Sequence, residues 1–240
     1  MLDLHCHILP GVDDGASDPE ISLQMAAVAA DCGVTHIFAT PHCNTRSQQK
    51  NFRTGALISA YKALQAMLDD AGIPVTILAG AEVLARGHFE EHLAAGDFMT
   101  LNGSRYLLVE FYFDEDPGYM EQCLRAVERQ ALTPVVAHPE RYFCVQRAPD
   151  LAQRWADQGR VLQLNKGSLL GELGPGSYET AALLLRRGAV SVIASDAHHF
   201  LRRNPDMRGL LDCLAQRFPE ADPELLLRVN PLRIAKDQDL

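Results

Sequence analysis

Short apolar runs recur along the chain, and the gaps between them are long enough to hold one helix each. Extended segments are predicted near residues 2–7, 35–40, 75–82, 106–112, 134–138, 160–165 and 189–195. Helices are predicted roughly over 19–33, 54–71, 88–95, 118–131, 149–158, 177–188 and 206–217. Leu57, Tyr61, Leu64, Ala66 and Leu68 follow the helical period, and Gly33, Gly72, Gly159 and Gly188 stand where helices should stop. Near-continuous apolar strands that alternate with helices imply a parallel sheet covered on both faces. Seven such units predict an α/β fold, a distorted or incomplete (βα)7 barrel forming one domain over residues 1–240, with its chemistry at the C-terminal ends of the strands.

Polar residues at the ends of these runs change the picture most. His5 and His7 follow Leu2-Asp3-Leu4, His42 follows the run ending at Thr40, and Glu82 follows the run ending at Ala79. Glu110 closes Tyr106–Val109, His138 closes Pro134–Ala137, and Asp196 and His198 follow Val190–Ala194. Asp14 lies in the turn after the first run. A single such residue means little, and a satisfied polar pair or a helix-entry turn would explain His5-Cys6-His7 or Asp196-Ala197-His198 taken alone. Nine together are hard to explain by packing, because such groups are costly to bury unpaired. A shared cluster of divalent cations would satisfy all of them. Residues two apart on a strand face the same way, so His5 and His7 can bind one ion together, while Asp196 and His198 could touch one ion or two neighbours. Glu82 could bridge two cations through its two oxygens.

Composition sets limits on the function. The apolar share of 47% and charged share of 22% are ordinary for a globular enzyme, and the net charge of −9 argues against a nucleic-acid surface. No stretch approaches the ~20 apolar residues of a membrane span. Met1-Leu2-Asp3-Leu4-His5 lacks the look of a secretory signal, and six cysteines without C-x-x-C spacing read as reduced thiols, which together predict a cytoplasmic protein.

Several other features carry less. Cys123 to Arg129 has the bare C-x5-R spacing of cysteine phosphatases but lies in a predicted helix without a glycine-rich loop. His88 and His92 read as a solvated helix face, His36 as a packed strand residue, His199 as either a partner of the site or a plain loop residue, and Lys166 as a loop residue.

The segments Asp3-Leu4-His5-Cys6-His7-Ile8-Leu9-Pro10-Gly11-Val12-Asp13-Asp14-Gly15, Ala39-Thr40-Pro41-His42, Gly80-Ala81-Glu82-Val83, Ala137-His138-Pro139-Glu140-Arg141-Tyr142 and Ser195-Asp196-Ala197-His198-His199 resemble the PHP (polymerase and histidinol phosphatase) superfamily. More narrowly, they resemble the manganese-dependent protein-tyrosine phosphatases encoded with bacterial capsule and exopolysaccharide genes. The likeness runs from Asp3 to about Pro231. It implies a seven-stranded PHP-type barrel holding three divalent transition-metal ions, manganese before iron or zinc. Carried onto this sequence, His5, His7, Glu82 and Asp196 would hold the first ion, Glu82, Glu110 and His138 the second, and Asp14, His42 and His198 the third. The chain departs from the family pattern at Cys43, which bears on the rim of the pocket. The implied substrate is a phosphotyrosine-bearing protein, a bacterial tyrosine kinase of polysaccharide export.

Charge and chemistry agree with that expectation. Three divalent cations outweigh four carboxylates and leave a site suited to a phosphate monoester dianion. A hydroxide held on the metals is then the expected nucleophile, so no phosphoenzyme is needed. Arg141 and Arg203 are candidates to grip the phosphoryl oxygens, since guanidinium matches them in a bidentate way. Two other classes stay open: a small-molecule metallohydrolase, such as a histidinol-phosphate-like phosphatase or an amidohydrolase, and a metal-binding scaffold without activity.

Overall fold

The computed structural model describes residues 1–44 and 50–240. Its strands are β1 (Leu2–Cys6), β2 (His36–Ala39), β3 (His42–Cys43), β4 (Thr76–Ala79), β5 (Glu82–Leu84), β6 (Tyr106–Glu110), β7 (Thr133–Ala137), β8 (Val161–Asn165) and β9 (Val192–Ala194). They form a three-stranded sheet, β1-β2-β4, and a six-stranded sheet, β3-β5-β6-β7-β8-β9, and every pairing is parallel. The α/β class and parallel sheets agree with the sequence reading, whereas a single closed sheet of seven strands does not. The strand expected near 75–82 is divided into β4 and β5, and the short β3 follows beyond the strand expected near 35–40. Pro41 has no amide hydrogen to give a ladder. Gly80 sits so tightly that an added Cβ would lie 2.9 Å from Leu101 and 3.1 Å from Thr40. The chain past β9 is tied to β1 by hydrogen bonds from the amide of Asp196 to the carbonyl of His5 and from the amide of His7 to the carbonyl of Ala197, both 2.8 Å.

The helices are α1 (Pro19–Asp31), α2 (Gly55–Asp70), α3 (Phe89–Ala95), α4 (Pro117–Arg129), α5 (Phe143–Arg147), α6 (Asp150–Asp157), α7 (Lys166–Leu169), α8 (Pro175–Arg186), α9 (Arg208–Arg217) and α10 (Asn230–Ala235). Their starts are written locally. Asp18, Thr54 and Asp116 cap α1, α2 and α4 by accepting from the amides of Ile21, Leu57 and Tyr119. Pro19 and Pro117 fill the first helical position, where no amide hydrogen is missed. All seven expected helices are present within two residues at either end. The short α5, α7 and α10 were not expected, and Lys166, expected in a loop, opens α7.

Strand alternation divides the apolar side chains into two layers. Leu2, Leu4, Phe38, Tyr106, Leu108, Val135, Ala137, Val161, Val192 and Ala194 form one buried cluster, while Ile37, Val83, Val109, Val136, Leu162, Leu164 and Ile193 belong to the other. The first lies inside the curve of the sheets and the second beneath the helices. Period-two counting then carries Glu110 inward after Tyr106 and Leu108, and likewise Gln163 and Asn165 after Val161. The pairing of β1 with β2 shifts register between Asp3 and Cys6. Leu2 and Leu4 pack in the inner cluster whereas Cys6 packs in the outer one. Such an irregularity re-aims side chains, and here it turns both His5 and His7 inward.

Candidate metal centre

Each candidate donor reaches one polar floor above the inner apolar cluster by a local backbone device. His42 and Glu82 open β3 and β5, immediately after the breaks that follow β2 and β4, and are paired across the ladder. His138 ends β7 in the left-handed region at φ 31°, and Asp196 does the same after β9 at φ 50°. Non-glycine residues in that region are uncommon and store strain that the surroundings must hold. At both positions the turn points a donor at the same centre. His5, His7, Glu82, His138, Asp196 and His198 are buried, while the Asp14 side chain is 62% exposed at the mouth.

The nine residues come together. The Nε2 atoms of His5 and His7 are 3.2 Å apart. Glu82 meets His5 and His7 at 3.3 Å through different oxygens, His138 at 2.9 Å and His42 at 3.0 Å. Glu110 lies 3.6 Å from both His42 and His138. Asp14 lies 3.5 Å from His42 and 3.6 Å from His198, and Asp196 lies 3.5–3.6 Å from His5, His7 and His198. Three groups bring their donor atoms within 4.8 Å of one another: His7, Asp14, His42 and His198; His5, His7 and Asp196; and His42, Glu82 and Glu110.

Hydrogen bonds behind the imidazoles set their direction. Nδ1 of His5 lies 2.9 Å from the side-chain oxygen of Gln163, Nδ1 of His7 lies 2.7 Å from Asp13, and Nδ1 of His198 lies 3.0 Å from the carbonyl of Asp196. If each Nδ1 donates, each Nε2 keeps its lone pair aimed into the cluster, the arrangement that ligating histidines adopt. Asp13 also accepts from the amides of Gly15 and His42, and Asn165 donates to Asp196 at 2.6 Å and accepts from Gln163 at 3.0 Å. Sequence reasoning missed Asp13, Gln163 and Asn165. The inward parity of Val161, Gln163 and Asn165 was a usable signal for the last two.

The protein groups alone leave the charge poorly shared. Burial opposes ionisation of Glu82, yet His5, His42 and His138 together hold its carboxyl well below the usual range. Asp196 is likewise lowered against its burial, by His5, His7 and Arg203. Burial and the neighbouring Glu82 push Glu110 up to about 8. Burial opposes protonation of His5, His7 and His42, but the surrounding carboxylates raise all three, whereas burial lowers His138 and His198. Nδ1 of His42 and of His138 are buried without a well-aligned hydrogen bond. Divalent cations fit this donor set: they would hold every carboxylate ionised and every imidazole neutral. The mixture of His nitrogens and carboxylate oxygens suits Mn, Fe or Zn.

Both candidate arginines reach this centre. Arg203 Nη2 lies 2.6 Å and Arg141 Nη1 3.5 Å from the same oxygen of Asp196, and Arg203 itself has φ 45°. Arg141 follows His138 on a tight helical turn, with its guanidinium carbon 4.4 Å from the centroid of the Phe113 ring. The other sequence candidates lie elsewhere. Cys123 is buried in α4 with its thiol pushed up to about 11 by burial. His88 pairs with Glu91 on the surface, as expected, but His92 is half-buried, stacks on Phe52 and pairs with Asp97. His36 bonds to Thr35, and His199 stacks on Phe200 in the loop after the cluster. Cys43 turns away from the cluster into the outer apolar layer, and burial pushes its thiol up to about 12. Lys166 is buried, and its ammonium donates to Asn204 and to the carbonyl of Asp206.

Known proteins resemble this chain over nearly its whole length. The model of a family described as "Capsular polysaccharide synthesis, CpsB/CapC" matches residues 1–236. Tyrosine-protein phosphatase YwqE of Bacillus subtilis is 35% identical over 226 residues, 94% of this chain and 88% of the relative. Tyrosine-protein phosphatase CpsB of Streptococcus pneumoniae is 30% identical and is covered to 99%, as is this chain. A solved structure from work on these two proteins, described there as unique metal-dependent tyrosine phosphatases, superimposes with a TM-score of 0.91 at 33% identity, covering 100% of this chain and 96% of its own.

Proposed function

The chain belongs to the CpsB/CapC family of capsular polysaccharide synthesis, and from that premise we propose that it is a metal-dependent protein-tyrosine phosphatase. The observation that carries the reading is the meeting of nine donors from six strand ends and one turn, with two guanidinium groups converging on one oxygen at the edge of the cluster. One catalytic domain spans 1–240.

His5, His7, Glu82 and Asp196 would hold one cation, Glu82, Glu110 and His138 a second, and Asp14, His42 and His198 a third, with manganese the favoured metal. When bound, such cations supply Lewis acidity and lower the pKa of a coordinated water toward ~7. The remaining work belongs to the chain. Arg141 and Arg203 bind the phosphoryl group and offset the charge that develops on its oxygens. The contact of Arg203 with an Asp196 carboxylate oxygen at 2.6 Å supports this assignment. His42, with a 17% exposed side chain, faces the mouth and contributes to the substrate side of the site as well as to metal binding. Gln163, Asp13 and Asn165 hold His5, His7 and Asp196 in their working orientations. A tyrosine leaving group, with a phenol pKa near ~10, departs with less proton assistance than an aliphatic alcohol.

The natural substrate is a phosphotyrosine-bearing protein, a bacterial tyrosine kinase of polysaccharide export. Six free thiols suit a reducing, cytoplasmic setting, and among the described residues no helix is long and apolar enough to cross a membrane. The test is hydrolysis of a phosphotyrosine peptide by the metal-loaded enzyme and by Cys6→Ser, Cys43→Ser and Cys123→Ser. All four should be active, and inorganic phosphate should inhibit. A folded, metal-loaded Cys123→Ser protein without activity would replace this reading with cysteine chemistry, and cleavage of histidinol phosphate alone would replace the substrate class.

A further inference from the structure

Phe113 is out of place for an apolar side chain. Two residues earlier, Phe111 is 1% exposed and packs edge-on against Tyr142. Phe113 is instead 37% exposed, with its ring centroid 6.2 Å from the His138 imidazole at 67°. It is not loosely held. Its carbonyl accepts from the amide of Phe143 at 2.8 Å, its ring lies 6.5 Å from that of Tyr142, and the Arg141 guanidinium covers it at 4.4 Å. The same guanidinium reaches Asp196. One cation is thus shared between an aromatic ring and the edge of the donor cluster.

Resting on the reading above, we propose that Phe113 is a specificity-determining residue that packs against the aromatic ring of the phosphotyrosine leaving group. In an aryl phosphate the ring begins one ester oxygen away from phosphorus, so a phosphoryl group gripped by Arg141 brings that ring beside whatever flanks the guanidinium. Here the flank is Phe113. An aryl ester buries a ring against it and gains an aromatic pair, whereas a serine or other alkyl ester offers only a short chain. The exposed ring of Phe113 therefore discriminates by leaving group, while Arg141 serves any phosphate ester. The stack also fixes Arg141 before substrate arrives, which spares part of the ordering cost of binding.

The experiment compares inhibition of the metal-loaded enzyme by benzylphosphonate, whose methylene stands in the place of the ester oxygen and carries the phenyl ring, and by methylphosphonate, with a phosphotyrosine peptide as substrate and metal content measured for every variant. The wild type should bind the phenyl compound more tightly. Phe113→Ala should reduce the phenyl-over-methyl preference about 3- to 10-fold, the size of one aromatic pair, and Phe113→Tyr should restore it. Arg141→Ala should weaken both inhibitors by a similar factor and keep the preference. If Phe113→Ala weakens both compounds equally, the ring acts only as a shelf for Arg141 and the proposal fails. An unchanged preference overturns it as well. Either failure, in an enzyme that cleaves the peptide, leaves the phosphatase reading intact, while a wild type that cannot cleave the peptide removes that reading itself.

Discussion

Both ends of the strands carry buried charge, and they treat it in opposite ways. Before β8, Arg160 is 4% exposed and its guanidinium is saturated by Glu121 and Glu128, with contacts of 2.6 Å to each. Each guanidinium nitrogen has an acceptor, and the pairing holds α4 to the start of the strand. At the other end, two imidazole Nε2 atoms lie 3.2 Å apart, two glutamates and two aspartates crowd the same space, and two histidine nitrogens find no aligned partner. A buried ion pair that is fully satisfied is a structural element. A buried cluster whose members aim at common points and leave two imidazole nitrogens without an aligned partner suits something that completes it. In parallel α/β folds the N-terminal ends of strands serve stability and the C-terminal ends serve chemistry, and these two regions are a direct instance of that division.

The comparison is broken most severely at Glu82, which touches four histidines. Glu82→Ala should lose metal and at least about a thousandfold of activity, as measured by elemental analysis and peptide hydrolysis. A smaller effect is expected at the two arginines proposed to grip the phosphoryl group. Arg141→Ala and Arg203→Ala should each keep full metal content and lose ~2–4 kcal/mol of transition-state stabilisation. Wild-type rates in both variants would reduce these arginines to surface charges.

Asp13 sharpens the contrast from behind the site. It fixes the His7 ring and the amide of His42 without reaching the centre itself. Asp13→Ala should weaken metal binding by about 10- to 100-fold, so activity should recover when metal is raised. Loss that excess metal cannot rescue would assign Asp13 another role.

The smallest catalytic effect belongs to the opposite end. Arg160→Met should cost about 1–3 kcal/mol of stability, discounted because the two glutamates are partly open to water, with metal content and activity of the folded enzyme retained. Hydrogen bonds and charge, from Arg160 first and Arg125 second, lower Glu121 from its ordinary 4.5 to about 2. That stabilisation is therefore present above about pH 4.5 and is lost as pH falls toward 2. Denaturant unfolding across this range should show a shallower acid dependence in the variant than in the wild type.

Much of this was legible because strand periodicity and donor chemistry coincide. Glu110 continues the inward face of Tyr106 and Leu108, and Asp14 stands in the turn that any reading of Asp13-Asp14-Gly15 would mark. What escaped was set by backbone detail. The tight fit of Gly80 divides one apparently continuous strand and a short extra strand follows Pro41, which yields nine strands in two sheets among the described residues. The register shift in β1 lets His5 face the same interior as Leu4, against simple alternation. Gln163 and Asn165 are neutral and resemble ordinary strand residues until their neighbours are known. Between two adjacent aspartates, sequence gives no reason to make one a ligand and the other its support. Lys166 looked like a loop residue because its partners, Asn204 and Asp206, are about forty positions away in the chain.

The account stands on metal at the C-terminal ends of the strands, and metal content coupled to activity tests this most directly. The purified protein should carry about two to three transition-metal ions per chain, lose them and its phosphatase activity together on chelation, and regain both when manganese is returned. Full activity in a protein with less than one ion per chain would contradict it.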